Sequence, residues 1–205
     1  MNKTLSGKIG ILISGRGSNM EAIIKSSLEN RIPANVAIVI SDNPQARGIE
    51  IARSLGIATK VIERKSFTSK EDFERAIIEC LKNCQVELLC LAGFMRILSP
   101  LLVQEFAGKI MNIHPALLPS FPGLHAQKQA IDYGVKISGA TVHFIDEGVD
   151  TGPIIIQVAV PIHDNDTEET LSQKILLQEH KIYSEAIRLF FERKLRIDGR
   201  KVFRE

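Results

Sequence analysis

Cysteine is scarce. Cys80, Cys84 and Cys90 are the three cysteines in 205 residues, too few and too odd in number for a disulfide framework. Their apolar surroundings predict free thiols in a reducing compartment, so a cytoplasmic address is expected. Metal motifs are lacking as well: no Cys-x-x-Cys or His-x-x-x-His pair occurs. The i, i+4 spacing of Cys80 and Cys84 therefore reads as two small core residues on a helix, and no metal is expected. Charge of one sign never forms a block. With 26 Lys+Arg against 24 Asp+Glu, neither a nucleic-acid surface nor a solvating tail is indicated, although a small anionic ligand fits. The N-terminal apolar run Ile9 to Ile13 is too short for a signal or a membrane span. Internal repeats and low-complexity segments are missing too, which leaves small molecules as the expected partners of a monomer or homodimer.

What is present is an alternation of two periodicities. Lys8 to Ser14 reads as a strand, followed by Gly15-Arg16-Gly17 and by a helical spacing of Met20, Ile23, Ile24 and Leu28. Val36 to Ile40, Thr59 to Ile62 and Val86 to Ala92 read as further strands, with helices over Ala46 to Leu55 and Ser69 to Leu81, the latter burying Phe73, Ala76, Ile77 and Cys80. Lys109 to Met111 reads as a short strand ending just before Asn112. Near-continuous apolar strands alternating with helices predict an α/β fold, Rossmann-like, with a mostly parallel sheet and helices on both faces. Ser138 to Ile145 and Ile154 to Val160 read as antiparallel strands in the C-terminal part. A long helix from Asp166-Thr167-Glu168-Glu169 carries the stripe Leu171, Ile175, Ile182, Ala186 and Leu189, and Asp198-Gly199 centres a final hairpin. At this length a single domain, residues 1–205, is expected.

In such sheets ligands gather at the carboxyl ends of the strands, and the polar motifs lie there. Gly15-Arg16-Gly17-Ser18-Asn19 joins a strand to a helix, so its N–H groups can converge on a phosphate. A tight turn with Ser18 as helix cap is the bland alternative. Asp42, ending the second strand, also admits a dinucleotide reading, which Met20 weakens by replacing the third fingerprint glycine. Asn112-Ile113-His114-Pro115 places an amide and an imidazole two residues apart, on one side of an extended chain. Asp150, in Val149-Asp150-Thr151-Gly152-Pro153, could hold that imidazole charged, or simply cap its own turn. Amide, imidazole and carboxylate together can stabilise an oxyanion, which points to acyl transfer. Gly93-Phe94-Met95-Arg96-Ile97-Leu98 is an apolar loop that reads either as a buried edge or as the wall of a site for a flat ring.

These segments, in this order, resemble the folate-dependent formyltransferases. Asn112-x-His114-Pro115 followed by Asp150 carries the superfamily likeness, and Gly15-Arg16-Gly17-Ser18-Asn19 is similar to the loop of its phosphoribosylglycinamide branch. The resemblance runs from about Ile9 to about Phe190. It implies 10-formyltetrahydrofolate as co-substrate and catalysis by Asn112, His114 and Asp150. It implies a phosphoribosylglycinamide site at Gly17, Ser18, Asn19, Gln178 and Glu179. The folate would meet Lys70, Met95, Arg96, Ile97, Leu98 and Asn112, together with Asp146, Glu147, Gly148, Val149 and Asp150. Where the family has an arginine, this chain has Lys70, which keeps the charge and loses the bidentate fork. The alternatives are another 10-formyltetrahydrofolate enzyme of the superfamily, or a nucleotide-binding module without catalysis.

Overall fold

The first strand, β1 (Gly7–Ile13), is apolar on both faces: Ile9, Ile11, Leu12 and Ile13 are all solvent-free in a computed structural model that describes residues 7–205. Burial on both faces is the reason the run reads as continuous rather than alternating, and each such side chain contributes about 1.5–3 kcal/mol. The chain divides into two compact units, Met1–Met111 and Asn112–Glu205.

In the first unit β1 is followed by α1 (Ser18–Leu28), β2 (Ala34–Ser41), α2 (Arg47–Ser54), β3 (Thr59–Val61), a 3-10 turn (Arg64–Ser66), α3 (Lys70–Asn83), β4 (Leu88–Leu91) and α4 (Pro100–Glu105). Strands run in the order β3-β2-β1-β4, with every pair parallel. The order reverses between β1 and β4, which is where open α/β sheets form a ligand crevice. The loops after those two strands are Ser14–Gly17 and Ala92–Ser99.

Strand β5 (Ile110–His114) passes from the first unit into the second. It runs past Met111 and takes in Asn112 and His114, ending three residues later than the apolar run alone suggests. The second unit continues with α5 (Ala126–Tyr133), β6 (Ile137–Phe144), β7 (Ile154–Pro161), α6 (Glu168–Phe191), β8 (Leu195–Asp198) and β9 (Lys201–Arg204). Its strand order is β5-β6-β7-β9-β8; β6 and β7 are antiparallel, as are β8 and β9. The α/β reading with antiparallel strands toward the C-terminus therefore holds.

Helix α6 starts where its cap chemistry places it. The Thr167 hydroxyl accepts from the Thr170 N–H, and the Thr170 hydroxyl accepts in turn from the Thr167 N–H, a complete capping box. The expected stripe Leu171, Ile175, Ile182, Ala186 and Leu189 is buried. Helix α3 departs from expectation: Phe73 and Ile77 are buried, but Ala76 and Cys80 are only half-buried, and Glu74, Ile78 and Leu81 complete the inner face. An acid on that face breaks the apolar pattern from which the stripe was read. Helices α4 and α5 leave no clear periodic signal, being six and eight residues long.

Candidate active site

Strand alternation turns Asn112 and His114 to one side of β5, and both meet the same carboxylate. Asn112 Nδ2 donates to Asp150 Oδ1 at 3.4 Å, while His114 Nδ1 lies 3.3 Å from Asp150 Oδ2. Asp150 reaches them from the loop after β6, where its backbone takes φ 55°, a left-handed conformation that aspartate tolerates better than most residues. That loop is wound tightly. Asp146 Oδ1 accepts from the Gly148 N–H and from the Thr151 hydroxyl, and a Cβ on Gly152 would stand 1.9 Å from the Phe144 carbonyl oxygen. Only glycine lets the chain pass so close and deliver Asp150 to the cluster.

The segment after β5 is held with equal care. The Thr141 hydroxyl donates to the Ala116 carbonyl and accepts from the Leu118 N–H, and Gln157 donates to the Leu118 carbonyl. Further along, Phe121 at φ 53° presents its carbonyl to His114 Nε2 at 2.8 Å, and the Gly123 N–H donates to Asp150 Oδ2 at 2.8 Å. His143 completes the cluster. Fully buried on β6, it bonds the Phe144 carbonyl through Nδ1 and meets Asn112 Nδ2 at 3.2 Å through Nε2, 3.6 Å from Asp150 Oδ1.

The electrostatics correct one expectation. Asp150 does pull the His114 pKa upward, but burial is the larger effect and the net result lies below the ordinary histidine value. The Phe121 carbonyl also favours the charged ring, and neighbouring His143 opposes it. Burial thus favours the neutral form of His114 more than in a free histidine, with Nε2 directed at the Phe121 carbonyl and Nδ1 at Asp150. For Asp150 the balance falls the other way. Burial pushes its carboxyl up, but bonds from His143 and the Gly123 N–H, with the pull of His114, bring it below the usual range. The cluster pairs a carboxylate shifted toward its ionised form with an imidazole shifted toward its neutral form, equipment for moving one proton while an amide N–H steadies an oxyanion.

Of the other expected residues in this unit, Asp146, Glu147, Gly148 and Val149 form the loop leading into Asp150. Gln178 and Glu179 lie on α6, the first half-buried and the second buried. His143, Phe121 and Gly123 were not anticipated as site residues. A histidine inside the apolar run Ala140 to Phe144 was the available signal for the first; the other two act through backbone atoms and leave none.

In the first unit, Gly17 rather than Ser18 is the cap of α1, at φ 78°. A Cβ there would come within 2.8 Å of the Gly48 Cα, and the Gly48 N–H donates to the Gly15 carbonyl at 3.1 Å. The start of α2 thus props the loop in which Gly17, Ser18 and Asn19 open the helix. Asp42, the residue behind the dinucleotide reading, is instead ion-paired with Arg96. The Ser14 N–H donates to the Gly93 carbonyl, and the Ser14 hydroxyl accepts from the Met95 N–H at 2.9 Å. Met95 and Ile97 are 65% and 64% exposed, so this apolar loop is a presented surface, not a buried edge. Lys70 is the half-buried first residue of α3. Cys80, Cys84 and Cys90 are free thiols, and burial, then the neighbouring Cys84, raises the Cys80 pKa. No helix among the described residues is long and apolar enough to cross a membrane.

Comparison with known proteins converges with this geometry. Residues 7–187 match the family described as formyl transferase. The phosphoribosylglycinamide formyltransferase of Bacillus subtilis (strain 168) is 48% identical over 181 residues, covering 88% of this chain and 93% of that protein. The enzyme of the same name from Escherichia coli (strain K12) is 41% identical, with 92% and 89% covered. A trifunctional purine biosynthetic protein adenosine-3 from Drosophila melanogaster is 48% identical across 88% of this chain, which spans 14% of that protein's length. Among solved structures, glycinamide ribonucleotide transformylase 1 from Symbiobacterium toebii superposes with a TM-score of 0.96 at 48% identity, covering 98% of this chain and 94% of that one.

Proposed function

The chain belongs to the formyl transferase family, and from that premise we propose that it transfers the formyl group of 10-formyltetrahydrofolate to the amine of N1-(5-phospho-D-ribosyl)glycinamide, giving the N2-formyl product and tetrahydrofolate in purine biosynthesis. The observation that carries this reading is Asp150 meeting Asn112 with one carboxylate oxygen and His114 with the other.

The amine nitrogen attacks the formyl carbon and the carbonyl oxygen becomes an oxyanion. An Asn112 N–H turns to it, exchanging the long 3.4 Å contact with Asp150 for a charge-assisted bond. His114 accepts the proton that the attacking nitrogen sheds, because a lowered pKa leaves it neutral. The developing negative charge and Asp150 stabilise the imidazolium so formed. His114 then returns the proton to the folate nitrogen as the carbon–nitrogen bond to it breaks, which balances the exchange. No metal takes part in this route.

Gly17, Ser18 and Asn19 are assigned to the substrate phosphate, with Gln178 and Glu179 at its phosphoribose. Met95 to Leu98, Asp146 to Asp150 and Lys70 are assigned to the folate. Residues 1–205 act as one catalytic domain, cytoplasmic and monomeric or homodimeric. The test is formyl transfer without added metal, followed by tetrahydrofolate formation. The expected result is turnover with phosphoribosylglycinamide; transfer only to some other amine would move the chain elsewhere in the family.

A further inference from the structure

The loop Gly93–Leu98 shows two large apolar side chains to solvent, Met95 and Ile97, a surface that an untethered loop would fold away. It is tethered at three points by polar contacts. The Ser14 hydroxyl accepts the Met95 N–H, Asp42 pairs with Arg96, and Ser99, which closes the loop, gives both its N–H and its hydroxyl to Glu74 of α3. The first two tethers are solvent-accessible. The third is buried, with Glu74 and Ser99 2% and 4% exposed.

That third contact runs against local preference on both sides. Ser99 precedes Pro100, the first residue of α4, where a serine hydroxyl ordinarily accepts a first-turn N–H. Here it caps nothing: the hydroxyl is turned to Glu74 and donates to it. Glu74 in turn sits on the inner face of α3 beside Phe73, Ile77, Ile78 and Leu81, where an apolar residue would serve packing. Its carboxylate accepts from the Ser99 N–H at 2.8 Å through one oxygen and from the Ser99 hydroxyl through the other, both neutral donors, and among the described residues no cation pairs with it. A buried carboxylate held in this way is costly to keep, and what it fixes is the end of the loop.

We propose that Glu74 is a positioning residue for the formyl donor: by holding Ser99 it fixes the loop Met95–Leu98 in the form that grips the folate ring. The inference rests on the donor-binding role assigned to that loop above. Glu74 acts through Ser99 on binding and leaves the chemical step alone.

In steady-state kinetics Glu74→Gln is expected to raise KM for 10-formyltetrahydrofolate about tenfold, with kcat and KM for phosphoribosylglycinamide within about twofold of wild type. Ser99→Ala, which keeps the N–H and loses the hydroxyl, should raise the donor KM about threefold and add little in the Glu74→Gln background, since both cut one contact. Thermal melts accompany each variant, and Ser99→Ala decides the matter if Glu74→Gln melts below the assay temperature. Equal rises in both KM values, a fall in kcat alone, an unchanged donor KM or full additivity of the two changes overturns the role of Glu74. Wild-type protein that transfers no formyl group overturns the functional reading itself, and this inference with it.

Discussion

His114 Nδ1 stands 3.3 Å from Asp150 Oδ2, yet the imidazole is held below its ordinary pKa because its burial outweighs the attraction. A carboxylate beside a histidine is usually read as a device for keeping the ring charged. Here it moderates a desolvation that would otherwise drive the pKa lower still.

Asp150→Asn therefore removes an upward pull and should move the acidic limb of kcat/KM against pH to lower pH, besides lowering kcat. His114→Ala should reduce kcat about a hundredfold or more, the usual scale for loss of a positioned group that takes and returns a proton. Wild-type turnover in His114→Ala, or an acidic limb unmoved in Asp150→Asn, would remove these residues from the mechanism.

Stability should carry the same signature. The folded-state pKa of His114 and that of Asp150 both lie below their reference values of 6.5 and 3.8. In the window under each reference value the unfolded chain takes a proton that the folded chain refuses, so stability is present above it and lost as pH falls toward the folded pKa. Denaturant midpoints are expected to drop between about pH 7.5 and 5.5, and His114→Asn to flatten that slope. An equally steep slope in the variant would locate the pH sensitivity elsewhere.

His143→Phe keeps an aromatic ring and deletes both nitrogens, so the Asn112 amide and Asp150 each lose one buried contact. A loss of about 2–3 kcal/mol in unfolding free energy is expected, with a rise in the Asp150 pKa visible by carboxyl NMR titration. An Asp150 titration indistinguishable from wild type would show that His143 is packing alone.

Gly152→Ala tests the approach of the loop to β6. Its Cβ would lie 1.9 Å from the Phe144 carbonyl oxygen, so the backbone must move, at a cost of about 1–3 kcal/mol. Asp150 is two residues away, and kcat should fall along with the melting temperature. Stability lost at constant kcat would mean that the loop tolerates displacement without moving its carboxylate.

What the sequence revealed depended on how each residue acts. Asn112, His114 and Asp150 were readable because strand alternation and a turn motif constrain side chains locally. The direction of the His114 pKa was not readable, since it depends on how deeply tertiary packing buries a ring whose partner was already identified. Glu74 escaped for a related reason: an acid next to a helical stripe reads as the edge of the solvent face until its partner, 25 residues on, is known. The extent of β5 was underestimated because Asn112 and His114, both turned toward Asp150, break the apolar run.

The partner of His114 Nε2 is the carbonyl oxygen of Phe121, a group present in every amino acid. A genetic survey of replacements would grade position 121 by the fate of an aromatic ring and by tolerance of φ 53°, while the contact itself passes from one residue to the next unchanged. Its importance would surface only through chain-length changes, which move the carbonyl away from His114 and leave the side chains of the cluster as they are.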